Sequence, residues 1–599
     1  MTRWPRTYSM DELRLLTKTG ATRLFAFTLA LFATFNLLDG GDFFHVASYQ
    51  IQRNDLPNPL VNTAIYSAAY FLCLAGLVIV YLHRSRAIRW FAFGVTAVTV
   101  STDLGFRQFN GYGFTYHEAS LIWAEKEFIG DALTRDIGGY LIPVILSIAC
   151  VIGFERYGRR HLPVIRSWLL LAIPIAAAPI YQSLLDLTYA KVYQVPMPYR
   201  VALLVEHTYR HQLLFYGIRD EPYFEPTDEP VADHILLIVD ESVTGDMLHI
   251  NGAKHQTTPF LDSIPEKILN YGLASAASNL SSTSNIIMQS GLRIDEIPDR
   301  ELRALKNPNL FSYMKAAGYT THLIDAQIYS DKPTNLMTGF DLEALDGHLF
   351  VRVAEVSAPE YEMDLRALDH AAKIISESKR SFTYLVKSGA HFPYDAKYPP
   401  DHTFFQPTLS GDGTGNNLEK TLNSYRNALR WTVDEFIRSL FERYEGKSTS
   451  LLVIYTADHG QSLRDSVDDG GPPRSGRPKR WPHAVPIDPP AQQASVPLLL
   501  FAFTPGSRAA LSERYAPSLK DRASGFEIFP SVLELAGYAP ETVRRRYGPS
   551  LFDGETPRAS RRFVSGNLFG IGGGFYQNTL IRVATFLNEY DLPDADQSE

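Results

Sequence analysis

HILLIVDES, residues 234–242, is a short apolar run with branched side chains that stops on two acids and a serine. Residues 235–239 are all apolar, so neither face of a strand here would meet water. That is the form of a strand buried on both sides in a parallel sheet. It recurs downstream as THLID ending at Asp325, FTYLVKSG ahead of His391, SLLVIYTADHG with Asp458 and His459, and VPLLLFA at 496–502. Helical patterns lie between, at 301–317, 364–378 and 422–443. Alternation of this kind predicts an α/β domain, a mostly parallel sheet with helices on both faces. Ligand sites in such sheets lie at the C-terminal ends of the strands, and the polar residues of interest recur there.

Upstream the solvent changes. The 599-residue chain is 45% hydrophobic with a mean hydropathy of −0.11, but the long apolar runs crowd into roughly its first third. Five are legible, at 24–38, 64–82, 90–104, 140–154 and 168–185. A spanning helix needs roughly 17–25 mostly apolar residues. The second, fourth and fifth runs meet that; the first is short, and the third carries threonines and Asp103. Arg3, Arg6, Arg14, Lys18 and Arg23 precede the first run. Arg84, Arg86 and Arg89 follow the second, and Arg156, Arg159, Arg160 and Arg166 follow the fourth. The intervening loops hold few bases, so the positive-inside rule puts the N-terminus in the cytoplasm. Five spans then place everything after residue 185 on the other side. The expected organisation is a five-span membrane domain over 1–185, an interfacial helix and linker over 186–232, and a catalytic domain over 233–599. The aromatic loop 107–135 and the amphipathic segment 199–218 suit a headgroup layer, and EPYFEPTDEP (221–230) reads as a linker.

Charge and cysteine remove other classes. The net charge is −8, which argues against nucleic acid as a partner. The only two cysteines, Cys73 and Cys150, sit in apolar runs, so neither a disulfide framework nor a cysteine zinc site is built.

Four segments carry chemistry at the strand ends. Asp240–Glu241–Ser242 offers hard oxygen ligands for a divalent cation, with a helix cap as the alternative. Asp458–His459–Gly460 adds carboxylate and imidazole, a set that suits zinc or manganese. Ser281–Ser282–Thr283–Ser284–Asn285 precedes an apolar helical pattern, which puts a hydroxyl at a helix N-terminus, where an anion is stabilised. There it is either a nucleophile or a cap. His391 and His483 stand alone in loops, either as substrate-facing acid/base groups or as solvated surface residues.

The order of these pieces resembles the membrane-bound phosphoethanolamine transferases that modify lipid A and related envelope glycans, with features of lipoteichoic acid synthases, within the alkaline phosphatase/sulfatase superfamily. The likeness runs through LLIVDES, NGAKHQTTPFLDSI (251–264), SSTSNIIM (281–288), KSGAHFPYDAKYP (387–399), YRNALRWTVDEF (425–436), YTADHGQSL (455–463), ASVPLLLF (494–501) and FEIFPSVLELAGY (526–538). It implies a metal centre of Glu241, Asp458 and His459 that also engages the nucleophile, with zinc as the ion and manganese as the alternative. It implies Thr283 as the nucleophile, or Ser284 if the alignment slips by one. His391 and His483 match histidines that face the substrate phosphate, Asp325 and Gln327 a polar pair near the site, and Asp240 a position that differs between branches.

The implied reaction moves a phospholipid headgroup, phosphoethanolamine from phosphatidylethanolamine, through a phosphorylated Thr or Ser to an envelope glycolipid or glycan. The implied location is the bacterial inner membrane, with the catalytic domain periplasmic. A phosphoglycerol transferase, a metal-dependent phosphodiesterase or phosphatase, and a catalytically silent scaffold on the same fold are the alternatives. Two departures are visible. The extramembrane part has no cysteine for the disulfides common among lipid A transferases. No Cys/Ser-x-Pro-Ser-Arg motif is present, which excludes formylglycine sulfatase chemistry.

Overall fold

The computed structural model of the protein describes residues 18–38, 43–44, 47–48, 51, 59–110, 137–162, 164–174, 196–200, 219–328, 333–410, 417–463, 483–485, 489–555, 561–566, 568–569 and 576–581. The chain divides into two compact units between Leu214 and Phe215.

In the first unit the apolar runs form helices α1 (Lys18–Leu38), α2 (Pro59–Tyr81), α3 (Arg86–Asn110) and α4 (Ile137–His161). Phe27, Leu31, Tyr70, Cys73, Leu74 and Phe93 fill its core. Among the described residues one helix, over Leu60–Tyr81, is long and apolar enough to cross a bilayer, and Thr22–Leu38 is a shorter apolar helix. The weak third run keeps its acid by pairing it. Buried Asp103 Oδ2 accepts from Arg107 Nε at 2.9 Å and Arg200 Nη1 at 2.8 Å. The fifth run beyond residue 174, the loop 111–135 and the segment 201–218 lie outside the described residues.

The second unit is built on a seven-stranded sheet. Its strands are β1 (His234–Asp240), β2 (Leu269–Ser275), β3 (Thr320–Asp325), β4 (Gly347–Phe350), β5 (Ser381–Val386), β6 (Leu451–Ala457) and β7 (Ser495–Ala502). Their order is β2-β7-β6-β1-β5-β3-β4. Only β7 runs against the rest, pairing antiparallel with both β6 and β2. Every residue of β1, β5, β6 and β7 is buried, which is why these strands are continuous apolar runs. A two-stranded ladder of β8 (Arg561–Gly566) and β9 (Tyr576–Ile581) follows.

Several boundaries differ from the sequence expectation. Pro308 splits the pattern at 301–317 into Arg303–Lys306 and Leu310–Ala316, because proline disfavours helical backbone in the residue before it. The pattern at 422–443 becomes α-helix over Leu418–Leu429, a wide π-helical turn over Arg430–Glu435, and α-helix over Phe436–Tyr444. Strand β2 was hidden by Gly272 and by a register shift between Asn270 and Leu273. EPYFEPTDEP is not a free linker. The backbone N–H groups of Thr227 and Asp228 both donate to Gly537 O at 2.9 Å. Phe224 packs on Tyr313 and Tyr538, with ring centroids 5.3 and 5.7 Å away. Its aromatics give it apolar surface to bury, despite the prolines and acids around them.

What positions the site is the register of the central strands. Asp240 lies opposite Ala457 across the β1–β6 ladder, and Asp325 opposite Val386 across β3–β5. The acids that follow these strands therefore emerge at one edge of the sheet.

Candidate metal and phosphoryl-transfer site

Glu241 follows β1, and Asp458 and His459 follow β6. The Asp458 N–H donates to Asp240 O at 2.9 Å, so the two strand ends stay paired one residue past the ladder. The ligand-capable atoms of Glu241, Asp458 and His459 all lie within 4.8 Å of one another, and all three side chains are buried. His459 Nε2 is 3.4 Å from Glu241 Oε1 and 3.9 Å from Asp458 Oδ1. His459 Nδ1 faces Gly460 O at 2.9 Å; a carbonyl only accepts, so Nδ1 carries the proton and Nε2 presents a lone pair to the cluster.

This donor set fits a divalent cation. Asp458 Oδ1 accepts from the N–H groups of Ser242 and His459, at 3.1 and 2.7 Å. Among the described residues its buried Oδ2 meets no donor within hydrogen-bond geometry. Burial and the neighbouring Glu241 carboxylate push the Asp458 carboxyl well above its ordinary range. A buried carboxylate with an idle oxygen, a second carboxylate beside it and an imidazole lone pair are what a cation such as zinc neutralises.

Asp240 is differently placed. Its Oδ1 takes the Glu241 N–H at 2.9 Å, and its Oδ2 takes Tyr455 Oη at 2.7 Å together with the Lys387 ammonium. Both oxygens are held by protein donors, and Asp240 is not one of the three residues whose ligand-capable atoms converge.

The hydroxyl that the structure brings to the cluster is that of Ser281, whereas the sequence expectation fell on Thr283 or Ser284. Helix α5 (Ser281–Ser290) has Leu280 as its N-cap, with no side-chain cap, so the first hydroxyl is not consumed in capping. Ser281 Oγ lies 3.2 Å from Glu241 Oε2 and 3.2 Å from His459 Nε2. At about 100° per residue, Thr283 lies about 200° round the helix from it. The Ser284 hydroxyl is turned back to accept the Ser278 N–H at 3.3 Å. The serine-rich string had no internal mark to tell these hydroxyls apart; the helix start chooses.

His391 and His483 border the cluster. The His483 ring stacks on His459 at 4.5 Å and 22°, and meets His391 edge-on at 5.5 Å. His391 Nδ1 donates to Phe392 O at 2.7 Å, which leaves Nε2 available. Burial lowers the pKa of all three histidines, most strongly that of His483. Of the polar pair, Gln327 makes the direct contact, its Nε2 donating to Glu241 Oε2 at 2.8 Å. Asp325 holds the turn by accepting the N–H groups of Gln327 and Ile328, at 2.7 and 3.2 Å. Burial raises its carboxyl to about 7.

Two glycines are fixed by close approach. A Cβ on Gly389, whose φ is +56°, would sit 2.4 Å from Glu241 O; one on Gly460 would sit 2.3 Å from Gln492 O. Sequence reading grouped Ser242 with the acids before it but could not show its left-handed φ of 61° beside the ligands, and it did not single out buried Lys387. The lysine had no local signal, since nothing in KSGAH says that its ammonium turns inward.

With this sheet and site, the chain belongs to the sulfatase family, whose model matches residues 233–538. Over 277 residues it is 25% identical to the Kdo(2)-lipid A phosphoethanolamine 7''-transferase of Salmonella typhimurium, covering 46% of this chain and 47% of that protein. Over 294 residues it is 23% identical to the phosphoethanolamine transferase EptA of Helicobacter pylori, covering 47% and 52%. The chain thus spans about half the length of the curated relatives it matches. It shares its fold with the integral membrane lipooligosaccharide phosphoethanolamine transferase A of Neisseria meningitidis. The TM-score is 0.55 at 16% identity, over 86% of this chain and 96% of that one.

Proposed function

We propose that the chain is a metal-dependent phosphoethanolamine transferase of the bacterial inner membrane, with Ser281 as its nucleophile. The observation that carries this is the Ser281 hydroxyl at a helix N-terminus, 3.2 Å from both a carboxylate oxygen and an imidazole lone pair of the cluster. Glu241, Asp458 and His459 would hold the metal, zinc by their chemistry. When bound, the ion lowers the pKa of the serine hydroxyl and polarises the phosphoryl oxygen.

The chain's own groups supply the rest. Ser281 Oγ attacks the phosphorus of phosphatidylethanolamine, its proton passing by way of solvent to the lone pair on His391 Nε2, and the bond from phosphorus to the glycerol oxygen breaks. His391 Nε2 protonates the departing diacylglycerol, and His483 lines the same side. The N-terminus of α5 stabilises the phosphate charge. An acceptor hydroxyl or phosphate on an envelope glycolipid then attacks the phosphoserine and gives its proton to His391, which returns it by way of solvent to Ser281 as the serine leaves. Likeness to the lipid A transferases supports a glycolipid acceptor. A five-span anchor over 1–185 and a periplasmic catalytic domain from residue 233 fit the charge pattern of the loops.

Incubation of the full-length protein with phosphatidylethanolamine, followed by peptide mass spectrometry, tests this. A phosphoethanolamine adduct on Ser281 is expected. An adduct on Thr283 or Ser284, or none, overturns the nucleophile. Release of free headgroup at the same rate with and without glycolipid would make the protein a phosphodiesterase instead.

A further inference from the structure

Lys387 is fully buried and belongs to no part of the chemistry above. Its ammonium bonds Asp240 Oδ2 and the backbone carbonyl of Thr432. It lies 3.6 Å from Asp364 Oδ2 and sits 4.2 Å over the Phe436 ring. The carbonyl is there because of the π-helical turn. In an α-helix the Phe436 N–H would bond Thr432 O; here it bonds Trp431 O, and the lysine takes the carbonyl passed over.

The two carboxylates around this cation each hold one wall of the site. Asp240 Oδ1 accepts the Glu241 N–H at 2.9 Å and so fixes the first ligand. Asp364 accepts the N–H groups of Ser388 and Gly389, at 2.6 and 3.2 Å, and so fixes the turn that leads to His391. The Lys387 backbone joins in: its N–H bonds Val239 O at 3.0 Å, and its carbonyl accepts Gln327 Nε2 at 3.1 Å.

We propose that Lys387 is a positioning residue that balances Asp240 and Asp364 and thereby sets Glu241 and the His391 turn in register around the metal. This rests on the metal-centre reading of Glu241, Asp458 and His459. Removing the cation would leave two buried carboxylates that repel one another and draw in water, and both walls would shift.

The test is zinc binding by detergent-purified full-length protein, measured by competition with a chromophoric chelator and accompanied by thermal unfolding of the same samples. K387M is expected to unfold cooperatively and to weaken zinc binding by about 10–100-fold, as loss of a group that orients metal ligands does. Its kcat should fall by a similar factor, while KM for the lipid donor stays within about twofold. The charge-matched D240N/K387M pair should recover most of the zinc affinity, because the carboxamide oxygen that D240N introduces still accepts the Glu241 N–H. If K387M does not fold, the double variant carries the test and should bind zinc within about tenfold of wild type. A folded K387M that binds zinc like wild type overturns the proposal. So does a folded double variant with no recovery. Wild-type protein that binds zinc but transfers no headgroup would defeat the transferase reading alone, since the titration does not use the reaction.

Discussion

Each unit of the molecule buries an ion pair, and the two pairs differ in what stands next to them. In the first unit Asp103 holds Arg107 and Arg200, joining chain segments about a hundred residues apart. In the second, Asp240 holds Lys387 one residue before Glu241. Both pairs cost desolvation, and neither is by itself a sign of function. The second differs in what it adjoins: a carboxylate oxygen, Asp458 Oδ2, that the described residues leave without a donor. Satisfied charges hold structure together, whereas an idle acceptor beside an imidazole lone pair is prepared for a cation.

The sharpest way to break this contrast is through the hydroxyl beside that idle acceptor. S281A should lower headgroup transfer by about 10⁴-fold, as loss of a nucleophile does. T283A should keep activity within about tenfold, and a radiolabelled lipid assay compares the two. The first unit's pair is tested next. D103N should cost about 3–5 kcal/mol of stability by taking the carboxylate from the buried Arg200 guanidinium. Zinc affinity should not change, as thermal unfolding and a metal titration on one sample would show. H459A should weaken zinc binding by more than about 100-fold, beyond the reach of an outer-shell change. Little loss of stability in metal-free protein should accompany it. If chelation leaves the melting temperature of wild type unchanged, the idle acceptor is not a metal ligand.

The smallest effect concerns a carboxyl remote from the ligands. Burial raises Glu534 from its ordinary 4.5 to about 7. The folded state then binds more protons than the unfolded state between those two values, so this group's contribution to stability falls as pH rises from about 4.5 to 7. E534Q should flatten that part of the stability-versus-pH curve, read by chemical denaturation at several pH values. A steeper slope in the variant would reverse the sign.

Much of the site was legible because it is local. A strand buried on both faces must be apolar, so the polar residues that end it stand out, and Glu241, Asp458 and His459 could be named from their place after such strands. His391 and His483 carried no pattern of their own and came from family likeness. Which hydroxyl faces the cluster was not legible, because Ser281, Ser282, Thr283 and Ser284 are chemically alike in a string; only the helix start and its phase separate them. Lys387 was invisible, since its partners lie on β1, on the helix carrying Asp364 and on the π-helical turn.

The sequence by itself determined the contrast between an apolar first third and the rest of the chain, the alternating α/β order and the kinds of ligand at the strand ends, because burial and hydrogen-bonding capacity are properties of single residues and short runs. The tertiary structure decided which hydroxyl faces the cluster, which of two adjacent acids joins it, and which buried cation balances the other. Those depend on strand register and helix phase, which bring together atoms from residues 240, 281, 387 and 458 that no local pattern relates.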